Sequence, residues 1–167
     1  MRTVSKAFSH ERATDGKDEW LTPRYITDAL GPFDLDPCSP INRPWDTASR
    51  YYTQLDDGLT NEWSGRVWCN PPYGTQTGKW MRKLSEHKNG IALIFSRTET
   101  KVFFENIWDK ADAVFFFKGR INFCHVTGEE ADPAGAPSCL IAYGKNNVQA
   151  IRSAQLEGKI EGKLIVL

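Results

Sequence analysis

The sequence predicts an α/β sandwich, on three observations. Helical patterns alternate with apolar segments along most of the chain. Ile91–Phe95 (IALIF) and Ala113–Phe117 (AVFFF) are unbroken apolar runs of strand length. Such runs suit strands covered by helices on both faces, as in a mostly parallel sheet. Finally, two predicted strands end abruptly on proline, at Asp36-Pro37 and at Asn70-Pro71-Pro72. Proline fixes φ and cannot donate to a ladder, so a strand stops there for a reason.

Taken in order, residues 1–18 (MRTVSKAFSHERATDGKD) are polar and without apolar period, and are expected to form a flexible arm ahead of a single domain over 19–167. Thr22-Pro23 starts a helix over 23–30, with Thr22 as its cap and Gly31 at its end. Phe33-Asp34-Leu35-Asp36 follows as a short strand whose alternation puts Phe33 and Leu35 on one side. The stretch 39–65 is rich in turn residues, and only "SRYYT" reads as a strand within it. Arg66–Cys69 is a buried strand, and a helix follows over Lys79–Lys88 with Trp80, Met81 and Leu84 inward. After the run at 91–95, a helix over Val102–Asp109 leads to the run at 113–117. The remaining elements are strands at 121–124 and 138–143, a loop over 127–137 between them, and a helix over 146–156. The late strands are expected to be antiparallel.

Composition narrows the function. A chain of 167 residues supports one core. Lys plus Arg equals Asp plus Glu, 21 of each, which disfavours a non-specific nucleic-acid coating protein but leaves room for a local basic groove. No apolar run is long enough to span a bilayer and no leader is evident, so a soluble intracellular protein is expected. Of the four cysteines, no two have the spacing of a zinc knuckle or a redox motif, and Cys124-His125 alone is a weak metal signal; no metal is expected.

In open α/β sheets, ligands bind beyond the carboxyl ends of the strands. Asn70-Pro71-Pro72-Tyr73 stands at such an end. The prolines remove two N–H donors and leave rigid carbonyl acceptors. Asn70 adds a side-chain acceptor and Tyr73 a flat face. Converging acceptors beside an aromatic ring match a planar ring bearing an exocyclic NH₂. Taken alone, the same four residues also read as a rigid turn, and Asp36-Pro37-Cys38 as a strand-ending turn with a buried thiol.

The motif "NPPY" after a buried strand resembles that of amino-group methyltransferases that use S-adenosylmethionine. With "DEWLTPRYITDALGPFDLDPC", "DDGL" and "FFFKGRINF", the chain resembles the small phage and prophage DNA N6-adenine methyltransferases of the Dam type over about 18–143. The resemblance implies a class I methyltransferase (Rossmann-like) sandwich with an antiparallel hairpin at the C-terminal end and no separate target-recognition domain. It implies S-adenosyl-L-methionine as cofactor, double-stranded DNA as partner, and a cytoplasmic location in a bacterial host. Asn70, Pro71 and Tyr73 would hold a flipped-out adenine, with Pro72 shaping the loop, for direct methyl transfer to N6 without a covalent enzyme intermediate. Trp20, Thr22, Pro23, Asp36, Pro37, Cys38 and Asp57 would bind the cofactor.

Lys79, Arg97, Lys118 and Arg120 fall near the pocket side of the predicted sheet as phosphate contacts. The glycine-rich turn common after the first strand in methyltransferases is absent, and no second-strand acid for the ribose is evident. Phe123 either closes the base pocket or packs in the core. RNA adenine, protein glutamine, and a silent DNA-binding module are the alternatives, and monomer or homodimer is left open.

Overall fold

The computed structural model describes residues 20–167, so the arm expected over 1–18 lies outside the described residues. The strands are β1 (Leu35–Asp36), β2 (Arg50–Tyr51), β3 (Val67–Cys69), β4 (Gly90–Phe95), β5 (Ala113–Phe117), β6 (Asn122–Cys124), β7 (Glu130–Pro133), β8 (Ser138–Tyr143) and β9 (Gly162–Val166). The helices are α1 (Arg24–Leu30), α2 (Thr77–His87), α3 (Lys101–Asn106) and α4 (Lys145–Leu156). Seven strands form one sheet in the order β2-β1-β3-β4-β8-β5-β9, while β6 and β7 pair separately. β2, β1, β3 and β4 are mutually parallel; β8 is inserted antiparallel between β4 and β5, and β9 runs antiparallel to β5. The fold is that of a Rossmann-like methyltransferase.

Strand alternation divides the core between the two faces of this sheet. Ile91, Leu93, Phe115, Leu140 and Trp68 join Ile26 and Leu30 of α1 and Val148 and Ile151 of α4. Ala92, Ile94, Val114, Ile141 and Cys69 join Met81 and Leu84 of α2 and Phe103 of α3. The central strands are apolar on both sides because helices cover both.

Four details differ from the sequence reading. Phe33 and Leu35 lie on opposite faces, since the strand covers only 35–36 and alternation does not extend through the bend at Asp34. Thr22 does not cap α1: Pro23 occupies that position, its carbonyl accepting from Ile26 N–H at 3.0 Å, and no side chain caps the helix. The segment 127–137 is not all loop, because β7 pairs with β6 there. This takes β6 out of the main sheet, so the antiparallel neighbours of β8 are β4 and β5. The edge strand β9 went unpredicted; it is largely exposed, so its residues carry little burial pattern.

Candidate active site

Because β1, β3 and β4 are parallel, their carboxyl ends open on one edge of the sheet. The turns that leave β1 and β3, together with loop 53–59, enclose a cavity of about 370 Å³. Trp20, Cys38, Asp57, Asn70, Pro71 and Tyr73 are among its lining residues, as are Pro37 and Pro72. Fold topology thus joins segments that are far apart in sequence.

The turn at 70–73 is held from several sides. Cys38 Sγ donates to the Asn70 main-chain oxygen at 3.2 Å, and Thr77 Oγ1 donates to the Pro72 carbonyl at 2.7 Å. Two of the backbone acceptors expected to face the pocket are therefore already engaged. The Pro71 carbonyl has no partner among the described residues. Asn70 Nδ2 donates to Thr22 Oγ1 at 3.4 Å, which turns the amide so that Oδ1 is the free end. That oxygen is buried and unpaired among the described residues. Leaving a buried acceptor unmatched costs roughly 1–3 kcal/mol, which a donor entering the site would recover.

Tyr73 is fixed by aromatic neighbours. Its ring stacks on Phe95 at 4.3 Å with 9° between planes, and meets Phe123 edge-on at 6.1 Å. Phe95, at the end of β4, covers one face of the ring, so a planar ligand can stack only on the other. Phe123 is 5% exposed and packs in the core, meeting Tyr73 from there without lining the cavity. Tyr73 Oη is buried without a partner among the described residues, and burial pushes the phenol pKa up.

The first-strand turn is organised by Asp36. Its carboxylate accepts from Thr47 Oγ1 in a short hydrogen bond and from the Cys38 N–H at 3.1 Å. Burial raises the Asp36 pKa to about 6, against the lowering effect of those hydrogen bonds. Asp36 does not line the cavity, and neither do Thr22 and Pro23, which lie buried behind it. Trp20 lines it and packs on His125 at 5.0 Å. Cys38 and Cys69 are free thiols with their sulfurs 3.9 Å apart, and burial raises the Cys38 pKa. Asp57 is exposed at the rim with φ 57°, its Oδ1 accepting from Leu59 N–H at 3.2 Å.

Lys79, Arg97, Lys118 and Arg120 are all exposed. Arg97 lies over the Phe95 ring at 5.7 Å, Lys118 pairs with Glu161 at 3.5 Å, and Arg120 reaches the Ala134 carbonyl at 3.4 Å. The structure does not gather them into one contact network. Among the described residues no group of three His, Cys, Asp or Glu could hold a metal ion, and no helix is long and apolar enough to cross a membrane.

Sequence reasoning missed Phe95, Ser39 and Trp80. Phe95 reads as the last residue of a core strand, and Trp80 as an inward helix position. Both Ser39 and Trp80 line the cavity, and Ser39 Oγ is buried without a partner among the described residues. Its only sequence signal is its place directly after Asp36-Pro37-Cys38.

Comparison with curated proteins and with solved structures gives no match. The model of the family described as DNA N-6-adenine-methyltransferase (Dam) matches residues 9–157. With most of its length matched and an Asn-Pro-Pro-Tyr turn at the edge of a methyltransferase-type sheet, the chain belongs to the DNA N-6-adenine-methyltransferase (Dam) family.

Proposed function

We propose that the protein methylates N6 of adenine in double-stranded DNA with S-adenosylmethionine as donor, acting on a base turned out of the duplex into the cavity at Asn70–Tyr73. The observation that carries this reading is the pair of unpaired acceptors, Asn70 Oδ1 and the Pro71 carbonyl, beside a Tyr73 ring with one face already covered.

The exocyclic nitrogen of adenine is a poor nucleophile because its lone pair is delocalised into the ring. Two acceptors that take both amino hydrogens favour a pyramidal nitrogen, which returns the lone pair to the atom. They also stabilise the positive charge that would build on N6 as its bond to the methyl carbon forms and the carbon–sulfur bond breaks, one amino proton then leaving to solvent. Tyr73 fixes the plane of the base. Turning the base out costs a few kcal/mol, which contacts to the DNA backbone must offset; Lys79, Arg97, Lys118 and Arg120 are the residues assigned that task.

The chemistry of the cavity's lining suits the cofactor. Ser39 Oγ and Asp57 supply polar groups, while Trp20 and Trp80 supply apolar faces. When bound, the cofactor supplies an electrophilic methyl group on a sulfonium. Asp36 acts from behind the wall: it holds the turn of Pro37 and Cys38 in place, and through the Cys38 thiol that turn is tied to Asn70. Thr22 orients the Asn70 amide. Cys69 is buried beneath the turn and needs no nucleophilic role.

The test is transfer of labelled methyl to mixed-sequence DNA, RNA and protein, followed by mapping of the modified base. Label on DNA adenine N6 is expected; label confined to RNA or protein refutes the DNA assignment. Asn70→Ala and Tyr73→Ala are expected to keep cofactor binding while losing about 100-fold or more in transfer, the range seen when a preorganised electrostatic contact is removed. Full activity in both removes these residues from catalysis.

A further inference from the structure

Loop 56–61 carries Asp57 to the rim of the cavity and has no regular secondary structure of its own. It is nonetheless tightly specified. Asn61 Nδ2 donates to the Asp56 and Asp57 carbonyls at 2.6 and 3.0 Å. A Cβ at Gly58 would lie 1.9 Å from the Pro37 carbonyl oxygen, so the loop sits flush against the turn after β1.

The centre of this arrangement is a lysine from α2. Lys83 Nζ donates to the carbonyls of Leu59 at 2.8 Å, Gly58 at 3.3 Å and Asn61 in a short hydrogen bond. An ammonium has three donors and no acceptor, so this set satisfies it completely. The same nitrogen lies 5.1 Å from the centre of the Trp63 ring, and Trp63 Nε1 donates to Gly58 O at 2.8 Å. Trp63 in turn stacks at 6.2 Å on Trp80, a wall of the cavity. At its other end α2 begins beside the Asn70–Tyr73 turn, where Thr77 Oγ1 holds the Pro72 carbonyl. One helix therefore connects the amine-holding turn to the Asp57 loop.

We infer that Lys83 is a positioning residue for the cofactor, fixing loop 56–61 and Asp57 against the Pro37 wall at a set distance from the Asn70–Tyr73 turn. The inference rests on the reading of the cavity as an S-adenosylmethionine site. Asp57 with positive φ is backbone that an L-residue adopts rarely, and it persists where the surroundings over-determine it. Asn61 and Thr60 hold the Asp57 carbonyl from within the loop, and Lys83 holds the carbonyls that follow it from outside. A lysine fixing backbone carbonyls in this way leaves no spacing motif in the sequence, since its acceptors are main-chain atoms of residues of any type.

The variant Lys83→Met keeps the unbranched stem over Trp63 and removes the donors. Three quantities decide the outcome: calorimetric affinity for S-adenosylmethionine, anisotropy-based affinity for a DNA duplex, and hydrogen exchange of the amides in 56–61. Loss of hydrogen bonds to a charged group should weaken the cofactor by about ten-fold or more and speed exchange of the loop, with DNA affinity held within about two-fold. Cofactor affinity unchanged in Lys83→Met overturns the inference, as does an equal loss of cofactor and DNA binding, which would indicate general loosening. If Lys83→Met does not fold, Trp63→Phe repeats the test by removing the N–H to Gly58 and part of the ring surface beneath Lys83 and against Trp80, with a cofactor loss of about three-fold or more expected and an unchanged affinity again overturning the inference. Absence of S-adenosylmethionine binding by the unaltered protein would overturn the cofactor reading itself, and is distinguished by being seen before any substitution is made.

Discussion

Replacing Tyr73 by Phe separates the two things a tyrosine can contribute at this site. The ring is held by Phe95 at 4.3 Å and Phe123 at 6.1 Å, contacts that a phenylalanine keeps. The hydroxyl is buried and has no partner among the described residues, and a buried unmatched hydroxyl costs roughly 1–3 kcal/mol. Removing it leaves a small void that offsets part of this gain. A net stabilisation of about 1 kcal/mol is therefore expected, or a rise in Tm of about 2–4 °C for a domain of this size. Methyl transfer should stay within about five-fold, because stacking uses the ring face and not the oxygen. Calorimetric melting and single-turnover transfer measure the two effects. A fall in Tm would mean that Oη has a partner in the folded protein. A loss of transfer comparable to Tyr73→Ala would mean that the hydroxyl takes part in the chemistry; either result refutes the reasoning.

Thr22→Val removes the acceptor that orients the Asn70 amide; at 3.4 Å that bond is long, so its loss is expected to lower transfer by about five- to ten-fold, less than Asn70→Ala, with cofactor affinity unchanged in titration calorimetry. Asp36 has a folded pKa near 6, raised by burial from an unfolded value near 3.8, so it binds more protons folded than unfolded between those values. Its contribution to stability is present at low pH and falls as pH rises through that window, by up to about 3 kcal/mol. Denaturant melts of Asp36→Asn should lack this component, and equal pH profiles for variant and parent would refute it. Gly58→Ala places a Cβ against the Pro37 carbonyl and should destabilise by about 1–3 kcal/mol while weakening cofactor binding; a melting curve and affinity equal to the parent would show that the loop can move aside.

The parts of the fold legible in the sequence are those where burial writes itself into residue type. The runs 91–95, 113–117 and 139–142 are apolar throughout because helices cover both faces, and they lie in the central strands. The inward triplet Trp80, Met81 and Leu84 has helical spacing and lies on α2. The elements that escaped detection bury little. β7 contains Glu, Asp and Pro in four residues and so has no apolar signature, while β9 is an exposed edge whose apolar run, Leu164–Val166, is only three residues long. Phe33 and Leu35 were misassigned to one face because alternation is informative only where the strand persists.

At the site, the prolines that end strands after Asp36 and Asn70 are visible locally in the sequence, whereas Trp20, Thr22, Pro23 and Asp57 come forward as site residues only through the family resemblance. Tertiary structure decided what each side chain does. It set Thr22 against Asn70 instead of the first turn of α1, turned the Asp36 carboxylate onto Thr47 and Cys38, and covered one face of Tyr73 with Phe95. It also brought Lys83 to three backbone carbonyls of a loop more than twenty residues away. The physical reason is common to all four. A residue's type states what contacts it can make, but which partner it meets depends on the packing of parallel strands and helices that places distant segments at one edge of the sheet.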